Sequence, residues 1–205
     1  MKTFWKELWT AIVATVVLLV VVSGIYPVII WGISQVLFPY QANGSLITQN
    51  GQVVGSALLA QGFSGAKYFH PRPSQAGTGY DAANSSGSNL GPTSKKLIDS
   101  IKDAADAYRK ENNLAATAVV PADAVTSSFS GLDPHISPKN TQIQAARVAH
   151  ERGIGEDVVR SEIAKATDAP FLGFIGDPAV NVLRLNLALD AAQAGKADKR
   201  TAEQK

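Results

Sequence analysis

The chain has 205 residues, a formal net charge of +2 and no cysteine. This length fits one short membrane anchor and one domain of ordinary size. The small net charge argues against a nucleic-acid-binding protein, whose domain is usually strongly basic. The absence of cysteine excludes disulfides, thiolate metal sites and cysteine nucleophiles, so the compartment has to be inferred from topology.

An apolar segment near the N-terminus predicts a transmembrane helix over residues 8–33, after a short N-terminal segment, 1–7. The run from Leu8 to Trp31 is almost wholly apolar, and a helix of this length spans about 36 Å, enough for a hydrocarbon core of about 30 Å. A cleaved signal peptide would share the basic start and apolar stretch. The apolar run continues well past Gly24, however, which favours an anchor.

The charges on either side of this helix predict its direction. Lys2 and Lys6 precede it, whereas no basic residue follows it before Lys67. The positive-inside rule therefore predicts a single-pass protein of the bacterial inner membrane, with a cytoplasmic N-terminus and the domain 40–193 outside. The alternative orientation would place the domain in the cytoplasm.

Within the anchor, Pro27 lacks a backbone donor, which predicts a bend between Ser23 and Pro27. Ser23 and Gly24 are small enough to let another helix approach closely, so we expect Ser23, Gly24 and Pro27 to mark a contact with a partner helix. The alternative is a lone kinked anchor without a partner.

The domain is predicted to be a soluble α+β fold. Asn50-Gly51 predicts a turn before a strand over 52–59. Apolar periodicity and end signals then predict helices over 92–112, 138–152 and 156–166.

The C-terminal part of the domain is less clear from sequence. Asp177-Pro178 is typical of a helix start, yet the leucines from Leu183 to Leu189 alternate as in a strand, so 180–191 remains ambiguous. The charged tail, 194–205, is predicted to be disordered.

Candidate chemistry is sparse. There is no P-loop and no dinucleotide-binding fingerprint, so no cofactor is bound by an intrinsic motif. His70, His135 and His150 lack metal-ligand spacing, and we expect structural or exposed roles for them. The string Ser64-Gly65-Ala66-Lys67 matches the Ser-x-x-Lys of acyl-serine enzymes, but that chemistry requires a helix, and the glycines favour a loop.

Seven sequence strings are the most distinctive part of the sequence. In chain order they are Phe38-Pro39-Tyr40-Gln41-Ala42-Asn43-Gly44-Ser45-Leu46, Gly55-Ser56-Ala57-Leu58 with Gln61-x-Phe63, Tyr68-Phe69-His70-x-Arg72-Pro73-Ser74, Ser86-Gly87-Ser88-Asn89-Leu90-Gly91-Pro92, Val125-Thr126-Ser127-Ser128-x-Ser130-Gly131-Leu132-Asp133-Pro134-x-Ile136-Ser137, Gln144-x-x-Arg147-Val148-Ala149 and Asn181-Val182-Leu183-x-Leu185-Asn186-Leu187-Ala188-Leu189-Asp190. Together, and in this order, they closely resemble the C-subunit family of the Kdp potassium-transporting ATPase (KdpC), and the resemblance extends over nearly all of residues 5–191.

The resemblance implies a non-catalytic accessory subunit of a high-affinity, ATP-driven potassium importer. The implied partners are a potassium-translocating subunit, a P-type ATP-hydrolysing subunit and a small membrane peptide, and the assembled complex handles ATP and K⁺. Family members are described as catalytic chaperones that support ATP binding, and the glutamine implied in that role is Gln144. Because the predicted topology separates Gln144 from cytoplasmic ATP by about 30 Å of hydrocarbon, we expect an indirect effect.

Partner contacts in the domain are predicted at its amide- and aromatic-rich loops. The candidates are Gln61, Tyr68, His70, Arg72, Ser88 and Asn89. Two alternatives remain: a solitary membrane-anchored binding module for an extracytoplasmic ligand and, more distantly, the acyl-serine enzyme.

Overall fold

The computed structural model describes residues 2–203. The chain divides into two compact units, with the boundary between Val54 and Gly55.

The first unit is dominated by one long apolar helix. It consists of α1 (Lys2–Leu18), a π-helical segment (Leu19–Ile25) and α2 (Tyr26–Leu37). Within the described residues, Thr3–Leu37 is the one helix long and apolar enough to cross a membrane. The predicted spanning helix is therefore confirmed as a candidate, and the observed helix extends beyond 8–33 at both ends.

The π-helical segment lies where the sequence predicts a bend. The Tyr26 N–H donates to the Val21 carbonyl, five residues back, and Pro27 follows in the first turn of α2. Because Pro27 has no N–H, the regular i→i−4 pattern cannot continue through it. The wider turns of the π-helical segment lie just before this proline, and both features are common causes of helix distortion. The bend itself stays a prediction.

A short helix and a strand complete this unit. They are α3 (Pro39–Ala42) and β1 (Leu46–Gln49), and β1 forms a two-stranded sheet with β2 (Gln52–Ser56). Asn50 and Gly51 both have positive φ, as a tight hairpin turn requires. The strand predicted over 52–59 is confirmed to Ser56, where the Ser56 hydroxyl accepts the Leu58 N–H and the chain turns.

Among the described residues, the second unit is an α+β domain with five helices and a small antiparallel sheet. The sheet has the order β3-β5-β4, with Ile136 opposite Val180 and Thr167 opposite the same valine. The elements are α4 (Lys95–Glu111), α5 (Ala122–Val125), β3 (His135–Ile136), α6 (Pro138–Arg152), α7 (Glu156–Lys165), β4 (Thr167–Asp168), β5 (Ala179–Asn181) and α8 (Val182–Glu203).

The core lies among α6, α7, α8 and the sheet. Its buried side chains include Val148, Val159, Val180 and Leu185, together with Phe69 from the irregular segment that precedes α4. An irregular segment thus contributes a fully buried aromatic ring to the core.

The ends of α6 follow from local chemistry. The Ser137 hydroxyl accepts the Asn140 N–H, Pro138 occupies the first turn, and Gly153 adopts the left-handed conformation that ends the helix. The helices predicted over 92–112, 138–152 and 156–166 are confirmed within three residues at each end.

The predicted helix start at Asp177-Pro178 is wrong. The chain there remains extended because Ala179–Asn181 pairs as the central strand of the sheet, and α8 begins only at Val182. The side-chain oxygen of Asn181 accepts the Arg184 N–H and caps the helix instead. The ambiguous region 180–191 is therefore the end of a strand followed by a helix.

Residues 194–203 continue α8, whereas the last two residues lie outside the described residues. The disordered tail expected over 194–205 stays a prediction.

Candidate functional site

Residues 57–72, named the strap here, form an irregular segment of the second unit. The strap contains no helix or strand, so its backbone groups need other hydrogen-bond partners. Side chains from α6 and α8 supply many of them. The strap is thus built into the fold by distant polar side chains rather than by a sheet.

Two buried amides hold consecutive strap residues. On α8, the Asn186 side chain accepts the Phe69 N–H at 2.8 Å and donates to the Phe69 carbonyl at 2.9 Å. On α6, Gln144 does the same for His70, at 2.8 and 3.2 Å. Each amide reproduces the paired hydrogen bonds of an antiparallel ladder, and both side chains are essentially inaccessible to solvent.

Gln144 has no hydrogen-bonding capacity left for a ligand. Besides its two bonds to His70, its Oε1 accepts from Arg147 Nη2 at 2.8 Å and its Nε2 donates to Asn140 Oδ1 at 2.9 Å. A primary amide has two donor hydrogens and two acceptor lone pairs, and all four are used here. Gln144 borders a cavity of about 280 Å³, yet its polar atoms bind the protein itself.

Arg147 holds the strap one helical turn further on. Its guanidinium donates to the carbonyls of Ala66 and Tyr68 and to Asn112 Oδ1, and it lies 3.7 Å from the Glu111 carboxylate. Burial lowers the pKa of Arg147, and the Glu111 charge opposes that shift. An arginine keeps its charge in proteins, so this buried cation binds two strap carbonyls.

Tyr68, within the strap, packs against the end of α6. Its ring is 5.3 Å from the Phe63 ring and 5.1 Å from the Arg152 guanidinium. Arg152 also donates to the Lys67 carbonyl and pairs with Asp190 at 2.8 Å. The Tyr68 ring therefore has an internal stacking role with a buried arginine.

A network of charged side chains runs from the strap to the sheet. Arg72 pairs with Asp133 at 3.1 Å, and the His135 ring lies between Asp133 and Asp168, at 3.5 and 3.2 Å. The hydrogen bond with His135 lowers the pKa of Asp133, and the same bond raises the pKa of His135. Arg184 of α8 approaches Asp168 at 3.7 Å and completes this network of charged side chains.

An open cavity of about 450 Å³ lies along α4. The side chains of Leu97, Ile101 and Ala104 form its helical wall, and Ser88 lies on the opposite side. Ile98, on the same helix, is more than half exposed. Asn89 is exposed with a positive φ beside this cavity.

The domain residues predicted to contact partners thus fall into two groups. Tyr68, His70 and Arg72 are engaged internally, His70 through Glu111 at 2.9 Å and through Gln144. The Gln61 amide is half-buried and packs against Gly55, where an added Cβ would approach it at 2.7 Å. Ser88 and Asn89 border the surface.

In the anchor, Gly24 has open space around it, since apart from its own helix backbone no described residue comes within 4 Å of an added Cβ. Ser23 is exposed beside it in the π-helical segment. This small-residue surface is available to another helix, and the predicted contact stays a prediction.

The other candidate chemistry does not assemble into a site. Ser64 and Lys67 lie exposed in a turn rather than on a helix, so the helical spacing that a serine–lysine pair requires is absent. Among the residues whose side chains the structure describes, 3–195, no group of three or more histidine, aspartate or glutamate side chains could hold a metal ion.

One surface feature was not predicted from the sequence, the loop between β4 and β5. Phe171, Leu172, Phe174 and Ile175 are all exposed there. A run of four large apolar residues between Pro170 and Asp177-Pro178 was the available signal. Such a run is equally typical of a buried strand, so sequence alone does not indicate its exposure.

Together these features define a class of protein. It has one helix that could anchor it in a membrane and an α+β domain, and the described residues assemble no metal site and no acyl-serine site. The family model of KdpC, described as the c chain of the K⁺-transporting ATPase, matches residues 8–191. The chain belongs to the KdpC family.

Similar curated proteins agree with this assignment. The potassium-transporting ATPase KdpC subunit of Mycobacterium tuberculosis (strain H37Rv) is 55% identical over 185 residues, covering 90% of this chain and 98% of the relative. The corresponding subunit of Koribacter versatilis is 48% identical over 188 residues, covering 92% and 96%. That of Rhodopseudomonas palustris is 50% identical over 198 residues, covering 91% and 97%.

Proposed function

We propose that this chain is an accessory subunit of a potassium-transporting ATPase and that it supports ATP binding by the hydrolysing subunit indirectly. Membership of the KdpC family and the names of its relatives as subunits favour this role over a solitary binding module. The proposed partners are the potassium-translocating subunit, the P-type ATP-hydrolysing subunit and the small membrane peptide, with ATP and K⁺ handled by the complex.

The observation that carries the indirect mechanism is the state of Gln144. Its side chain is 1% exposed and makes four hydrogen bonds inside the domain. A nucleotide could bind it only by displacing these bonds, which would leave the buried backbone of His70 unsatisfied. Changing ATP affinity without contact requires that the chain stabilise one conformation of the pump more than another.

The decisive experiment compares the purified pump with and without this chain. We expect removal of the chain to raise the KM for ATP. We also expect a photoreactive ATP analogue to label the hydrolysing subunit and to leave the α6 peptide of this chain unlabelled. An unchanged KM would overturn the supporting role, and ATP-competed labelling of the α6 peptide would overturn the indirect mechanism.

A matched pair of glutamines on α6 separates a structural role from nucleotide contact. Gln144 is buried, whereas Gln142 is exposed. We expect Gln144→Leu to lower the free energy of unfolding of the isolated chain in the absence of ATP. Because the domain is then less stable, the KM of the pump for ATP should rise. Gln142→Leu should change neither. A raised KM with an unchanged fold would instead indicate direct contact.

We further propose that the domain lies outside the cytoplasmic membrane, as the charges around the anchor predict. Proteinase added to spheroplasts should then digest the domain and leave a small N-terminal fragment. Full protection would reverse the orientation.

Within the membrane, we propose that Ser23 and Gly24, beside Pro27, contact a helix of another subunit. Gly24→Leu should reduce copurification of the potassium-translocating subunit, because close helix packing needs small residues. Gly32, which has the same open surroundings, provides the control variant Gly32→Leu. Equal behaviour of the two variants would argue against this contact.

A further inference from the structure

The loop between β4 and β5 presents an apolar surface that nothing in the described chain covers. The side chains of Phe171, Leu172, Phe174 and Ile175, named the apolar tip here, are between 50% and 76% exposed. Scattered exposed apolar residues are ordinary, whereas a contiguous cluster usually marks an interaction site. Four such side chains within five residues form a cluster of this kind.

The shape of the apolar tip is fixed by its own backbone. Phe171 and Ile175 exchange two N–H···O bonds of 2.9 Å, and the Gly173 N–H donates to the Pro170 carbonyl at 2.9 Å. Leu172 and Gly173 both adopt positive φ, which tightens the turn. A segment ordered before binding loses less conformational entropy on association, so this geometry suits a surface that inserts into a fitted cleft.

The charges around the apolar tip favour a protein partner over the lipid surface. Between Lys165 and Arg184 the chain has no basic residue, and its charges there are Asp168 and Asp177. Loops that insert into anionic bilayers usually carry lysine or arginine beside their apolar residues. Asp168 is already paired with His135 and approached by Arg184, whereas Asp177 remains exposed at the foot of the tip.

We infer that the apolar tip docks into an apolar cleft with a basic rim on another subunit of the potassium pump, on the same side of the membrane as this domain. This inference rests on the proposed role as a pump subunit. The aromatic side chains would fill the cleft, and Asp177 would meet the basic rim. Together they would form a contact separate from the anchor helix.

The absence of cysteine from this chain allows a direct test by thiol labelling. Phe174→Cys places a single thiol on the tip, and Phe129→Cys places one at another exposed phenylalanine, which is 94% exposed. The rate of alkylation by a hydrophilic maleimide is measured for the chain alone in detergent, the chain alone in anionic lipid vesicles, and the assembled pump.

We expect the Phe174→Cys thiol to react rapidly in both preparations of the chain alone and at least tenfold more slowly in the assembled pump. The Phe129→Cys thiol should react at similar rates in all three. Equal protection of both thiols, or none at Phe174→Cys, would overturn the inference. Protection in vesicles alone would identify lipid as the occupant, and concentration-dependent protection in detergent would identify a second copy of the chain.

A second variant measures the contribution of the tip to assembly. Phe171→Ser combined with Phe174→Ser should reduce copurified pump subunits at least tenfold under stringent washing, while Phe129→Ser leaves the yield unchanged. If the double variant retained the full yield of copurified pump subunits, the docking role of the tip would be overturned. Failure of the unmodified chain to copurify any subunit would instead count against the proposed function.

Discussion

The strap and the apolar tip are both irregular, but they satisfy their backbone groups in opposite ways. The strap depends on side chains of distant helices, above all Asn186 and Gln144, which hold Phe69 and His70. The tip closes its hydrogen bonds locally, within a few residues. The strap therefore turns an aromatic side chain into the core, whereas the tip leaves its aromatic side chains on the surface. An irregular segment can thus serve either folding or recognition, depending on where its hydrogen-bond partners come from.

The two phenylalanines at the centre of this comparison should differ most. Phe69→Ala is expected to lower the free energy of unfolding by about 3–5 kcal/mol, because it opens a cavity in a closely packed core. Phe174→Ala should change it by less than about 0.5 kcal/mol, since the side chain is exposed. Urea unfolding of the full chain in mild detergent measures both values. Similar losses for the two variants would remove the distinction between strap and tip.

The amide hydrogen bonds that hold the strap should contribute less to the free energy of unfolding than the Phe69 ring does, but still measurably. Asn186→Leu leaves both the N–H and the carbonyl of Phe69 buried without a partner, so we expect a loss of about 2–3 kcal/mol. Asn84, which is exposed in a loop of the same unit, supplies the control Asn84→Leu, expected within about 0.5 kcal/mol. Hydrogen exchange at the Phe69 amide should accelerate only in the first variant.

The smallest expected effect is the pH dependence of stability that comes from the network of charged side chains joining the strap to the sheet. The pKa of His135 is raised above its usual 6.5, mainly by its hydrogen bond with Asp133. The corresponding stability is fully present below about pH 6.5 and is lost as pH rises through the raised pKa. The pKa of Asp133 is lowered below 3.8, so its contribution is present above that pH and is lost as pH falls through the lowered pKa.

We therefore expect the free energy of unfolding to decline modestly above about pH 6.5 and His135→Gln to flatten that decline. His150, whose side chain is largely exposed beside Glu151, provides the control variant His150→Gln, which should retain it. A decline unchanged by His135→Gln would mean that other groups cause it.

Sequence alone predicted those parts of the fold whose signals are local. Gly153 ended α6 as expected, Asn50-Gly51 formed the hairpin turn, and the apolar run formed one long helix. The start of α8 could not be predicted in this way, because Ala179–Asn181 is extended only by pairing with two other strands.

The candidate site was harder to predict for the same physical reason. Gln144 was indicated only by the family resemblance and the loops by their amide content, but amide chemistry alone does not distinguish a ligand contact from an internal bond. That distinction depends on which groups face the side chain in space, and for Gln144 they are His70, Asn140 and Arg147. The apolar tip, conversely, resembled a buried strand until its exposure was known.

The hydrogen bonds between Asn186 and Phe69 join residues 117 positions apart. At about 5–20 residues per second, a ribosome needs roughly 6–25 s to make the intervening chain. Until that stretch has been made the strap lacks its α8 partner, so the core around Phe69 cannot close before α8 has been synthesised. A product truncated before α8 would keep Phe69 and its backbone open to solvent, and would present the cell's proteases with an unfinished core.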